Sequence, residues 1–213
     1  MNLKKIYFIG RSTKIISAFG KIFKAKKIEI IPWRGCENYN FKYYNVSKKD
    51  ADIIVVCGYD YQSCLYEHSK YLRYNIEEPL KIINKISNSK TIIFYVNTDN
   101  SKRNETLSRY KYAKFLLGEK LSKKFKCYKN ISLPVLLNND GKADIYGGFI
   151  YKLIFNTLIY FNVLEVCNPA ELNQIILHSM ENSNYKKTKE IKPKFIKIRR
   201  TLFVDRLLRL IYG

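Results

Sequence analysis

No stretch of this chain reaches the about 18 consecutive apolar residues that carry a helix across a bilayer. The nearest approach, residues 146–166, is interrupted by Lys152, Asn156 and Asn162. The first residues, Met1–Lys5, lead straight into a short apolar run. They lack the long apolar region and small-residue cleavage site of a secretory signal, so a cytoplasmic protein is expected. No Cys-x-x-Cys occurs. The five cysteines are scattered and odd in number, and His68 and His178 stand at no metal-ligand spacing from them, which argues against a disulfide framework or a zinc site. Acidic residues are scarce: 18 against 39 lysines and arginines, a net charge of +21. Such an excess suits nucleic acid or an anionic membrane surface. However, lysine is abundant here together with Asn, Ile and Tyr, as AT-rich coding sequence produces. The lysines are also spread thinly through the first 180 residues, as on a solvated surface. Nucleic-acid binding is therefore set aside as the main function. Internal repeats and low-complexity tracts are absent too.

What is present is an alternation of short apolar runs and helical periodicity. Lys5–Ile9 is apolar and aromatic and ends at Gly10, as a buried parallel strand does. Thr13–Lys24 carries Ile15, Ile16, Phe19, Ile22 and Phe23 at helical spacing, with Ser12 or Thr13 available as N-cap. Ile28–Ile31 is a second strand, closed by Pro32. This β-α-β unit forces a parallel pair. Asp52–Cys57 is the next strand, ended by Gly58. A long helical segment over 66–86 follows, with Pro79 as its expected kink. Thr91–Val96 is a strand, Leu107–Phe125 a helix, and Ile131–Leu137 a further strand. Strands alternating with helices predict an α/β, doubly wound parallel sheet of the Rossmann kind. Its ligand should lie at the carboxyl ends of the strands, at Gly10, Arg34, Gly58 and Asn97–Thr98. After residue 138 the apolar stretch 146–166 is expected to pack on the sheet or cap the site, as a reduced C-terminal cap region. The predicted organisation is one domain over 1–180 and a basic linker with a terminal amphipathic helix over 181–213.

The chemistry centres on Tyr110-x-x-x-Lys114, which on a helix puts phenol and ammonium one turn apart on one face. The ammonium draws the phenol's pKa down toward working pH and suits it to proton transfer. A hydroxyl at the preceding strand end, Thr98, can orient the substrate oxygen. The spacing alone decides nothing: composition gives about two to three matches by chance, and four occur, at Tyr44, Tyr66, Tyr110 and Tyr185. Only Tyr110 opens a helix after a late strand of the β-α-β series.

With these residues the chain, over roughly 4–137, resembles the short-chain dehydrogenase/reductase superfamily, and most of all its extended branch of nucleotide-sugar epimerases, dehydratases and reductases. Residues 50–58 look like that family's fourth strand and the glycine after it. Residues 75–83 look like its helix with a buried Asn, and Gly118-Glu119 like the small residue and Glu on its active-site helix. The resemblance implies Tyr110 as general acid/base, Lys114 as ribose-binding lysine and Thr98 as the hydroxyl residue. It also implies a nicotinamide cofactor, a nucleotide-sugar or related carbohydrate substrate, and a homodimer through the helices at 66–86 and 107–124, with Tyr112 and Leu116 as contacts. The family's glycine-rich turn is degenerate here. Gly10-Arg11-Ser12-Thr13-Lys14-Ile15-Ile16 keeps only the first glycine, though Ser12, Thr13 and a helix N-terminus can still hold a phosphate. Arg11 and Arg34 stand where a 2′-phosphate would lie, which favours NADP over NAD.

The alternative reading is a degenerate, non-catalytic Rossmann protein serving as a partner or assembly factor in surface-polysaccharide synthesis. From Lys186 to Arg200 come eight basic residues, then an apolar segment with Leu202, Phe203, Leu207 and Ile211. That pattern suits either the interface of an anionic membrane or docking on the protein's own core.

Overall fold

The computed structural model describes residues 4–10, 12–25, 27–31, 33, 49–59, 67–97, 109–144, 149–161 and 166–181. The alternating apolar runs and helical segments become strands β1 (Lys5–Ile9), β2 (Lys27–Ile31), β3 (Ile53–Val56), β4 (Ile92–Asn97) and β5 (Tyr128–Ser132), with α1 (Thr13–Phe23) between the first two. They form one parallel sheet in the order β2-β1-β3-β4-β5. The chain winds outward from β1 to β2, returns to the other side of β1, and winds outward again. The reversal falls between β1 and β3, and that is where such sheets bind ligands.

The strands are apolar on both faces because both faces are covered. Ile6 and Phe8 point to one side with Ile53, Val55 and Phe94, and pack on Ile15, Ala18 and Phe19 of α1 and on Leu172 and Ile176 of α6 (Pro169–Glu181). Phe19 is fully buried, its ring 6.0 Å from Phe8, 5.8 Å from Phe23 and 5.1 Å from Phe94. Tyr7, Ile9, Ile54, Val56 and Tyr95 point to the other side, against Ile82, Ile83 and Ile86 of α3 (Glu78–Ile86) and Leu117 and Leu121 of α4 (Arg109–Lys124). The fold is thus α/β, a parallel sheet with helices on both faces. At its amino end Lys5 Nζ pairs with Asp50 and Glu29, and the Tyr7 hydroxyl donates to Asp50 at 2.9 Å. Burial chiefly, together with the neighbouring carboxylates, pushes the Tyr7 phenol up to about 12.

Several elements differ from the sequence expectation. The helical segment before β4 changes type directly ahead of Pro79. It begins as α2 (His68–Leu72), widens into one π-helical turn at Arg73–Glu77, and continues as α3, with Pro79 as its second residue. The strand expected over 131–137 is two: β5 ends at Ser132, and Val135–Leu136 (β6) leaves the sheet to pair with Val166–Cys167 (β7). The stretch 146–166 contains α5 (Phe149–Tyr160), which leaves large apolar side chains in solvent instead of packing them on the sheet. Helix α6 lies in a segment the periodicity did not single out. Residues 182–213, with the basic run and terminal amphipathic segment, lie outside the described residues. No helix among those described is long and apolar enough to cross a membrane.

Candidate active site

The carboxyl ends of β1, β2 and β3 meet almost without side chains. Gly10 adopts φ +130, a region closed to L side chains, and a Cβ there would stand 2.6 Å from the Gly58 amide nitrogen and 2.8 Å from Cys57 Sγ. A Cβ on Gly58 would meet Trp33 Cβ at 2.8 Å and Gly10 Cα at 3.1 Å. Main-chain bonds close the junction: Gly10 N donates to Ile31 O, and Cys57 N and Gly58 N both donate to Ile9 O. Both glycines are therefore required by strand packing, whatever they do for a ligand.

Helix α4 delivers Lys114 to this junction. Gly118, one turn further on, lets the helix rest on the Tyr95 ring, where a Cβ would stand 3.0 Å from the ring edge. The Tyr95 hydroxyl fixes the helix by donating to Lys114 O at 2.7 Å. The Lys114 side chain then reaches in between the strand ends. It is 5% exposed, donates to Gly58 O and Val96 O at 3.3 Å each, and lies 5.4 Å over the Tyr95 ring. Burial lowers its pKa to about 8, with the Cys57 thiol beside it acting weakly the other way. The thiol is itself pushed up by burial, while Lys114 and a hydrogen bond from the Ser12 main chain oppose that. The π-helical turn packs beside α4, with Asn75 buried and its Nδ2 donating to Tyr71 O at 3.3 Å. A π-turn in a long helix often marks such a site.

The structure brings Gly10, Gly58 and Lys114 together and sets Ser12 and Thr13 at the start of α1 beside them. Ser12 is the N-cap residue but makes no side-chain cap. Tyr110 lies in the first turn of α4, four residues before Lys114 and so on the same helical face; its side chain is outside the described residues. Arg11, Arg34 and Thr98 also lie outside them. Three contributors were missed in the sequence: Cys57, Tyr95 and the Trp33 indole. Among the described residues, Trp33 Nε1 is buried with no hydrogen-bond partner. The available signal was position: each residue stands at the carboxyl end of a predicted strand.

No protein-family model matches the chain, and no curated protein matches it in sequence. Among the solved structures similar in shape are two bacterial examples. One is the ADP-L-glycero-D-manno-heptose-6-epimerase of Helicobacter pylori, with TM-score 0.54 and 10% identity over 85% of this chain and 74% of that one. The other is RMD from Pseudomonas aeruginosa, solved with NADPH, with TM-score 0.52 and 7% identity over 84% and 72%. The likeness is one of fold. It bears out the Rossmann-like α/β architecture expected from the strand and helix alternation.

The residues at the junction fit a nicotinamide dinucleotide. The α1 N-terminus offers amides and two hydroxyls to a phosphate, Lys114 offers a buried ammonium, and Trp33 Nε1 is an orphaned donor on a residue that touches Gly58. The departure is Thr13, in the place where a second glycine lets main chain approach a pyrophosphate.

Proposed function

We propose that the protein is a nicotinamide-dependent oxidoreductase, epimerase or dehydratase of the short-chain type, acting on a nucleotide sugar or related carbohydrate. The observation that carries this reading is the Lys114 ammonium, buried at the carboxyl ends of β3 and β4 beside the switch point and one helical turn from Tyr110. Ser12, Thr13 and the α1 N-terminus would hold the cofactor's phosphates, and Lys114 would bind its ribose. The bound cofactor supplies or takes up the hydride. Tyr110 exchanges the proton at the sugar oxygen, and Thr98 orients that oxygen. Main-chain carbonyls of Gly58 and Val96 hold the ammonium in place. Arg11 and Arg34 make NADP the preferred cofactor, and helices α2 to α4 form a homodimer face on which Tyr112 is 37% exposed.

The test is a thermal-shift series with NAD, NADP and nucleotide sugars on the parent, Tyr110→Phe and Lys114→Ala proteins. A true ligand at about 100 times its Kd stabilises by about 2.7 kcal/mol. Tyr110→Phe should keep the cofactor shift and lose turnover, whereas Lys114→Ala should weaken both. Arg34→Ala should narrow the preference for NADP over NAD. If no nicotinamide nucleotide shifts the melt, the second reading stands: a non-catalytic protein of the same fold. That reading is favoured by Thr13 in the second glycine's place and by the commitment of Lys114 to main-chain carbonyls.

A further inference from the structure

A cleft of about 470 Å³ runs along α1 where that helix faces the start of α6. Its volume lies within the range of small-molecule sites, about 300–1,000 Å³. One wall is a stripe of α1: Thr13, Ser17 and Lys21, four residues apart, fall within about 80° of one another around the helix. The buried Ala18 and Leu172 give the cleft an apolar floor. Pro169 and Asn173 of α6, and Asn139 of the turn after β6, close the other side. The walls are held firmly. Lys14 Nζ donates to Leu137 O at 2.7 Å and pairs with Asp144 at 2.9 Å, which ties α1 to that turn. Asn138 Oδ1 accepts from Asp140 N and Lys142 N and so sets the turn that carries Asn139, while Asn168 Oδ1 caps α6. By contrast, the side chains of Ser17, Lys21, Asn139 and Asn173 make no hydrogen bond or ion pair among the described residues. The cleft is thus preformed, with its polar groups uncommitted.

We propose that this cleft binds a sugar phosphate, at a site separate from the junction of the strand ends. Ser17 and Lys21 stand one turn apart on the same stripe, so hydroxyl and ammonium reach one phosphate group. The carboxamides of Asn139 and Asn173 each offer donors and an acceptor, which suits the hydroxyls of a sugar, and the apolar floor suits its C–H face. Among the described residues no carboxylate lines the cleft: Asp144 is taken by Lys14, and Glu171 Oε2 accepts from Asn168 N. A divalent cation is therefore the poorer occupant. The described lining also holds no aromatic ring on which a base would stack, so a nucleotide is the poorer occupant too. Lys21 lies about 12 Å along α1 from Thr13, at 1.5 Å per residue. Phosphates at the α1 N-terminus are beyond its reach, and the two sites can fill together. Binding in the cleft does not require a nicotinamide cofactor at the junction.

Isothermal titration calorimetry of the full chain at about 0.15 M salt tests this, with glucose 1-phosphate and glucose 6-phosphate as probes. At least one should bind the parent with a Kd of about 1 mM or tighter, and glucose and inorganic phosphate should bind at least about tenfold more weakly. Lys21→Met and Asn173→Ala should melt like the parent, because neither side chain holds another part of the described fold. They should weaken binding of the probe by at least about tenfold and about threefold. Lys90→Met removes an equal charge from the turn before β4, outside the cleft, and should bind like the parent. Saturating NADP should leave the affinity unchanged. The proposal is overturned if neither probe binds at about 10 mM, if Lys21→Met binds like the parent, or if Lys90→Met weakens binding as much as Lys21→Met. It is equally overturned if inorganic phosphate binds as tightly as the probes, because the net charge then attracts any anion, or if NADP displaces them, because the site is then the junction.

Discussion

Replacing Lys114 by Met removes a buried amine while keeping much of its volume, and the effect on stability should depend on pH in a defined direction. In the unfolded chain the amine titrates near its ordinary value of 10.5; in the fold burial lowers this to about 8. The unfolded state therefore binds the proton more tightly, and stability rises with pH between the two values. The contribution is fully present above about 10.5 and is lost as pH falls through about 8. The shift corresponds to about 3 kcal/mol, at about 1.4 kcal/mol per unit. Lys114→Met cannot titrate there, but it strips Gly58 O and Val96 O of a donor, a loss that does not vary with pH. Urea unfolding of both proteins at pH 7 and at pH 10.5 gives the difference at each pH, in which the other lysines and tyrosines cancel. Relative to the variant, the parent should gain about 3 kcal/mol on going from pH 7 to pH 10.5. A difference that stays constant within about 0.5 kcal/mol would refute the burial of a titrating amine at the strand ends.

Phe19→Ala removes the ring at the centre of the Phe8, Phe23 and Phe94 cluster and should cost about 3–5 kcal/mol in urea unfolding; a loss below about 1 kcal/mol would mean that the α1 face is not packed as described. Gly10→Ala forces a Cβ to within 2.6 Å of main chain at φ +130 and should fail to accumulate folded protein, whereas a stable variant would refute the close approach of β1 and β3. Asp50→Asn should flatten the acid limb of the stability curve. Burial raises the Asp50 carboxyl's pKa, but Lys5 and Tyr7 outweigh it and hold the group below the ordinary carboxylate range, so its contribution is present above about pH 4 and lost below; an unchanged acid limb in melts from pH 5 to pH 2.5 would contradict this. Asn168→Ala removes a cap in which Asn168 Oδ1 accepts from Ala170 N and Glu171 N; it should cost about 1 kcal/mol and speed hydrogen exchange in α6 first.

The order of strands and helices through β4, and the place where ligands should gather, are legible in the sequence because buried parallel strands are short β-branched runs ended by glycine. Gly10 and Gly58 mark two such ends, and the structure puts them in contact. Helix α6 was not assigned from the sequence, although its start carries a local signal. Asn168-Pro169-Ala170-Glu171 is a capping box with proline in the first turn, and in the fold Glu171 Oε2 accepts from Asn168 N while Asn168 Oδ1 accepts from Glu171 N. The irregularity expected at Pro79 takes a form the sequence does not specify. The helix widens into a π turn directly ahead of the proline, and no pattern of apolar residues announces that turn.

Local chemistry, then, decided the elements, their parallel pairing and the Tyr110–Lys114 spacing, because periodicity, β-branching and chain crossover act between residues near in sequence. Tertiary structure alone decided where the Lys114 ammonium goes. Its partners, Gly58 O and Val96 O, lie 56 and 18 residues away, just past the end of β3 and in β4, which become neighbours only when the sheet forms. It alone decided that Cys57 and Trp33 belong to the same junction, and that α5 keeps Phe149 and Tyr160 in water. Whether a side chain is buried depends on what the rest of the chain brings against it, and that information is absent from any single segment.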